Sequence, residues 1–264
     1  MNSKPHAAII GGGFTGCALA LDLQMRGFEV KLFERGEICS GTSGRTHGLL
    51  HSGGRYCVDD VEAGKECIQE NRLLRKIARQ CIEFNGGLFI ALNDSDVAYG
   101  VRFAKGAEEC GIEIEELTPS QAINLEPNLN PGLIKAFTVP DGSFDPLRLA
   151  LAFAATARRF GAEFNPYCEV TQLSRANSGR ITGLRYLNRH ENLMHEIAAD
   201  VVINATGVWA GRITAMVDVK VPVRPTPGVM LAYDQRLVQR VINRLCIPAD
   251  GDISYSDFSS HLAL

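Results

Sequence analysis

The stretch Gly11-Gly12-Gly13-Phe14-Thr15-Gly16 sets Gly11, Gly13 and Gly16 in the G-x-G-x-x-G spacing of a dinucleotide-binding turn. Each of the three has a separate mechanical task. Gly11 permits the tight turn, Gly13 lets the backbone approach a pyrophosphate, and Gly16 lets a helix pack closely on a strand. Glu34 comes at close to the spacing of about 20 residues at which an acid takes a ribose hydroxyl. A carboxylate there selects an unphosphorylated ribose over a 2′-phosphate.

These residues need a strand, a turn, a helix and a second strand to hold them, and the neighbouring sequence supplies all four. Ala7–Ile10 is a short apolar run, Cys17–Arg26 carries small and apolar residues at helical spacing, and Gly27 can end that helix. Val30–Phe33 then alternates into Glu34, with Arg35 grouped beside it as a cofactor contact. The helix amino terminus faces the phosphates. A glycine turn that binds nothing would not require an acid at the end of the second strand.

The fingerprint does not separate NAD from FAD, and the decision rests on the segment after Glu34. A simple nicotinamide enzyme would bring its next βα unit soon. Here Gly41 to Tyr56 is instead a long polar, glycine-rich segment. Thr42 and Ser43 can be offered to phosphate, and the glycine backbone can pass close under a flat ring, with His47, Gly48 and Leu49 as further cofactor contacts. FAD is the expected cofactor, although a mobile surface loop has the same composition.

Further along, Val61–Ala78 reads as a long helix, Leu88–Leu92 as a strand, and Asp94–Cys110 and Pro119–Leu125 as helices. Asp145-Pro146 is a helix start, with the acid as N-cap and proline at the first helical position, and Gly161 closes that helix. Strands come next over Val170–Leu173 and Ile181–Tyr186, joined by the turn Asn177-Ser178-Gly179. Val201–Ala205 suits a buried parallel strand, which Thr206-Gly207 turns into a helix at Trp209. The fold class is α/β: a Rossmann-like FAD-binding domain from residues 1–85 and 143–216, with a second, incomplete α+β substrate (cap) domain from 86–142 and 217–264.

A 264-residue chain with 45% hydrophobic and 22% charged residues has ordinary globular composition. A net charge of −3 with both signs interspersed argues against nucleic acid as partner and for a small-molecule ligand. The eight cysteines show neither C-x-x-C nor metal-ligand spacing with histidine, so no metal is expected and reduced thiols are. No stretch reaches the roughly 18 apolar residues of a membrane span, and no signal peptide is read, so the expected location is cytoplasmic.

The segment Gly44-Arg45-x-His47-Gly48-Leu49-Leu50-His51-Ser52-Gly53-x-Arg55-Tyr56 resembles the FAD-dependent glycerol-3-phosphate dehydrogenases, DAO-type flavoproteins, and most of all the large subunit of their anaerobic form. The likeness continues through Cys67-Ile68-x-Glu70-Asn71, Gly87–Ile90, Val139-Pro140-Asp141-Gly142 and Asn204–Trp209, and so spans residues 7 to 249. It implies oxidation of sn-glycerol 3-phosphate to dihydroxyacetone phosphate, with hydride passing to the flavin and electrons to a quinone through partner subunits. Electron-transfer and membrane-anchor subunits would hold the chain peripherally on the inner face of the cell membrane. It also implies that Ala205, Thr206 and Gly207 close over the cofactor and that Val170 meets the adenine through its backbone, where a plain turn and a core valine are the alternatives.

Such a reaction needs a base for the hydroxyl proton and cations for the phosphate. His51, Arg55 and Tyr56 are the catalytic candidates, and histidine titrates in the range a base near neutral pH requires. His51 could instead be a structural histidine bonded to the flavin, and Arg55 a surface arginine paired with a carboxylate. After Ala249 the resemblance fades, and residues 250–264 match nothing expected there. The expectation is a truncated chain, lacking the substrate-phosphate arginines and binding FAD weakly. Two other readings stay open: a related FAD-dependent oxidase or dehydrogenase of an amino acid or 2-hydroxy acid, and an inactive fragment.

Overall fold

The computed structural model describes residues 4–246 apart from 226, 227, 229 and 232. Residues 250–264, where the resemblance fades, lie outside the described residues. The chain divides into two units, one from Met1–His47 with Asp145–Val229, the other from Gly48–Phe144 with Met230–Leu264.

In the first unit the apolar runs become a four-stranded parallel sheet, in the order Val201–Asn204, His6–Ile10, Glu29–Phe33, Glu163–Asn165. Both faces of its central strand are covered. Ala7 and Ile9 pack with Ala20 and Ala157 of the helices Phe14–Met25 and Pro146–Arg159. Ala8 and Ile10 pack with Val170, Leu173 and Leu184 of a three-stranded antiparallel sheet, Cys168–Arg175, Ile181–Asn188 and Leu193–Ala198. A strand buried on both sides reads as a continuous apolar run, which is why Ala7–Ile10 shows no alternation. Val201–Asn204 is parallel, as expected, but half-buried rather than buried, because it lies at the sheet edge. The helix predicted from Cys17 begins earlier, at Phe14, directly after the glycine turn.

The second unit holds a mixed sheet in the order Val241–Arg244, Gly87–Ala91, Lys135–Val139, Glu115–Leu117. One face packs Phe89 and Phe137 against Phe103 of the helix Asp94–Cys110, and the other packs Leu88 and Ile90 against Ala122 of the helix Pro119–Leu125. A small sheet, Leu49–Leu50, Gly142–Phe144, Ile82–Glu83, completes the unit. Its pairings, and the packing of the helix Val61–Ile77 on Asp94–Cys110, draw residues 48–85 into this unit rather than into the cofactor domain expected from sequence.

Candidate functional site

Within the first unit, the carboxyl ends of three parallel strands frame a cleft of about 610 Å³ lined by Ile10, Phe33 and Asn204 and by the residues just after them. This is where the strand order reverses, the position at which open α/β sheets take ligands. The glycines shape it by leaving out Cβ atoms. A Cβ on Gly11, whose φ is +109°, would sit 2.5 Å from the Ala205 carbonyl oxygen; one on Gly16 would sit 1.9 Å from that of Gly11. One on Gly13 would sit 2.8 Å from Ser43 Oγ. Gly16 thus packs the helix onto the turn itself, and Gly13 leaves a cradle facing the Ser43 hydroxyl, which accepts the Phe14 N–H at 3.1 Å.

Glu34 is fixed on the cleft lining, directly after its strand. Its Oε2 accepts the Gly12 N–H at 2.8 Å and its Oε1 the Gly36 N–H at 2.9 Å. Each carboxylate oxygen has a second acceptor site for a hydroxyl. Arg35, Arg45 and Arg212 bring positive charge to the lining, against Glu34 and Glu169, which suits a diphosphate. Arg35 lies 4.4 Å over the Trp209 ring, and Arg45 Nη1 donates to the carbonyls of Ser40 and Gly41. Size, hydroxyl acceptor and charge together fit FAD.

Of the cofactor contacts expected from sequence, Gly11, Gly13, Thr15, Glu34, Arg35, Thr42, Ser43, Val170, Ala205, Thr206 and Gly207 line this cleft. Gly12, Phe14 and Gly16 belong to its supporting turn, while His47, Gly48 and Leu49 are not among the lining residues. Val170 is both a core valine and a lining residue. Next to it the ladder steps from Val170–Tyr186 to Gln172–Arg185, a bulge at Thr171 that re-aims the backbone. Sequence reasoning missed Arg45, Arg212 and the side chain of Asn204. The Asn204 carboxamide shapes the turn, accepting from Thr206 N and Oγ1 and donating to the Ala210 carbonyl. An asparagine ending an apolar strand was the available signal.

The three catalytic candidates fall in the second unit. Arg55 and Tyr56 stand exposed on the turn after Gly53, whereas His51 is 16% exposed by its side chain and meets a network the sequence did not reveal. Asp141, 1% exposed, accepts at Oδ1 from Ser52 N–H (2.7 Å) and Ser52 Oγ–H (2.6 Å). Its Oδ2 lies 3.2 Å from the donor Asn243 Nδ2 and 3.4 Å from His51 Nδ1. Asn71 Nδ2 donates to the carbonyls of Leu50, His51 and Pro140, and Arg75 Nη2 to those of Pro140 and Asp141, so the His51 and Asp141 backbones are tied together. Burial alone would raise the Asp141 pKa, but the bonds from His51 and Ser52 outweigh it and hold the carboxyl below its ordinary range.

The cysteines behave as packing groups. All eight are free thiols, and burial pushes Cys17 and Cys57 up to about 12 and Cys39 to about 11, far from nucleophilic thiolates. Among the described residues no group of three or more His, Cys, Asp or Glu could hold a metal ion, and no helix is long and apolar enough to cross a membrane.

A family described as DAO, FAD dependent oxidoreductase, matches residues 6–258. The chain belongs to this family of FAD-dependent oxidoreductases. FAD is therefore the cofactor. The chain is 44% identical over 245 residues to the A subunit of the anaerobic glycerol-3-phosphate dehydrogenase of Escherichia coli, covering 93% of this chain and 45% of that one. It is 43% identical over 262 residues to the A1 subunit of the enzyme of the same name from Haloferax volcanii, covering 96% and 44%. The chain thus spans less than half the length of these relatives. Among solved structures, L-proline dehydrogenase from P. horikoshii superposes with a TM-score of 0.73 at 27% identity, over 85% of this chain and 58% of that one.

Trp209 is the one tryptophan in the sequence and lines the cleft, so its fluorescence reports on occupancy. FAD is expected to quench it. Glu34→Gln, which puts an amide donor where a carboxylate accepts, should raise the FAD Kd about tenfold, the loss of one charge-assisted hydrogen bond. An unchanged Kd in that titration would remove Glu34 from the ribose site.

Proposed function

We propose that this chain is the flavin-binding part of an FAD-dependent dehydrogenase of sn-glycerol 3-phosphate, forming dihydroxyacetone phosphate. The observation that carries the reading is the 42–44% identity, across most of the chain, to the A subunit of bacterial anaerobic glycerol-3-phosphate dehydrogenases. When bound, FAD would supply the two-electron acceptor for hydride from the secondary carbon, with a quinone reached through partner subunits as the final acceptor. The remaining tasks fall to side chains. His51 takes the hydroxyl proton, Arg55 faces the phosphate, and Tyr56 assists beside it. That these relatives are named as one subunit of an enzyme supports partner chains here too; a peripheral place at the membrane would follow from an anchor subunit among them.

The buried Asp141 beside His51 supports a histidine held for proton transfer. A second reading, oxidation of an amino acid, is favoured by the likeness to L-proline dehydrogenase, at lower identity. Anaerobic addition of substrate to the purified chain loaded with FAD separates the two. Glycerol 3-phosphate is expected to bleach the oxidised-flavin absorption while L-proline leaves it intact. Bleaching by L-proline alone would replace the first reading with the second.

A further inference from the structure

We propose that Asp141 is a positioning residue that holds His51 as the Nδ1–H tautomer and so leaves Nε2 to accept the substrate's hydroxyl proton. The proposal rests on the reading of His51 as the base. Its evidence is the saturation of the Asp141 carboxylate. Ser52 presents two donors to Oδ1, at 2.7 and 2.6 Å, which pins that oxygen and turns Oδ2 toward Asn243 and His51. An ionised carboxylate offers only acceptors. The neutral imidazole next to it must therefore place its one N–H at Nδ1, and its other nitrogen becomes the acceptor.

The charge state of the carboxylate agrees, since its pKa is held low despite burial. Arg75 adds a guanidinium on the Asp141 carbonyl, and Asn71, itself 1% exposed, holds the His51 carbonyl at 3.2 Å. These ties fix the backbones that carry the two side chains, so neither main chain can shift without breaking them. At 3.4 Å the His51 contact is longer than the Ser52 and Asn243 contacts of the same carboxylate. In the proposed reaction the alcohol O–H bond would break with its proton going to Nε2, and FAD, when bound, would supply the acceptor for the electron pair that leaves the C–H bond as hydride.

Asp141→Asn reverses the logic while keeping the shape. The two Ser52 donors require an acceptor, so the amide oxygen takes the Oδ1 position and the NH₂ faces His51 Nδ1 and Asn243. Asn243 can answer by turning its own amide, but the imidazole can only accept at Nδ1 and must carry its proton on Nε2. A base then has nothing to accept with. This is the tautomer argument established for catalytic aspartate–histidine pairs.

The test is a long-range ¹H–¹⁵N spectrum of the FAD-loaded full chain labelled at histidine, with His51 assigned by the signal lost in His51→Gln. At a pH where the ring is neutral, the wild type should show the Nδ1–H pattern and Asp141→Asn the Nε2–H pattern. In parallel, kcat with glycerol 3-phosphate and a dye should fall about 10²-fold or more in Asp141→Asn, with KM changed less than about threefold. An Nε2–H pattern in the wild type overturns the proposal without any variant, so a failure of Asp141→Asn to fold does not protect it. So does an Asp141→Asn chain that keeps Nδ1–H, or one that swaps tautomer and keeps full kcat. Absence of wild-type turnover with glycerol 3-phosphate would count against the substrate reading, while the tautomer swap would still support Asp141 as the positioning residue.

Discussion

Gly16→Ala is expected to destroy the FAD site and to destabilise the chain by about 4 kcal/mol or more, beyond the usual range for a single substitution. The added methyl group would sit 1.9 Å from the Gly11 carbonyl oxygen and 3.1 Å from its carbon. Both are backbone atoms of the turn, so no flexible side chain can yield. Relief requires the helix Phe14–Met25 to lift from the turn, which opens the packing of Ala20 under Ile9 and Leu32 and moves the helix amino terminus away from the cleft. Gly27→Ala is the control. Gly27 has φ +90° but nothing within 4 Å of its Cβ position, so it carries only the conformational term of about 1–2 kcal/mol. Urea midpoints and Trp209 quenching by FAD measure both variants. A Gly16→Ala chain with a wild-type midpoint would mean that the close packing of turn and helix is not a structural requirement.

The contrast between these glycines shows what a sequence can disclose. Local signals located the elements with local causes. The helix Asp94–Cys110 matches its expected span because Asn93 caps one end, accepting the Asp96 N–H, and Gly111 adopts φ +70° at the other. Pro119–Leu125 matches because Thr118 and Gln121 form a reciprocal capping box. The turn glycines and Glu34 were legible for the same reason, since spacing along the chain determines their geometry. What the sequence concealed depends on partners far away in it. Asp141 stood in the sequence only within Val139-Pro140-Asp141-Gly142, one stretch of the family likeness, and its partners His51 and Ser52 lie about 90 residues earlier. Glu126, 1% exposed, accepts the N–H groups of Gln239 and Arg240, a pairing no periodicity announces. The contacts that group residues 48–85 with the second unit were hidden on the same account, because Leu49–Leu50 and Ile82–Glu83 are short strands defined only by pairing with Gly142–Phe144.

Asp141→Ala should cost about 3–5 kcal/mol at pH 7, the range for breaking a buried charged network from one side. The magnitude comes from the groups left behind. The Ser52 N–H and hydroxyl and the Asn243 amide would be buried without the acceptor they now share, and each stranded donor costs about 1–3 kcal/mol. The loss should depend on pH in a definite direction. The folded-state pKa of Asp141 lies below its ordinary value of 3.8, so as pH falls the unfolded chain takes up this proton first. The stabilisation from the ionised carboxylate is fully present above the unfolded pKa and is lost as pH falls through the folded one. The gap between wild type and Asp141→Ala, read from urea unfolding, should therefore be constant above about pH 5 and narrow below about pH 4. It should not close completely, because a protonated carboxyl still accepts hydrogen bonds that alanine cannot. A gap that instead widened as pH fell towards about 4 would mean that these contacts hold a carboxylic acid rather than a carboxylate. The donors on Ser52 and His51 would then have to be reassigned, and with them the side of the imidazole that carries its proton.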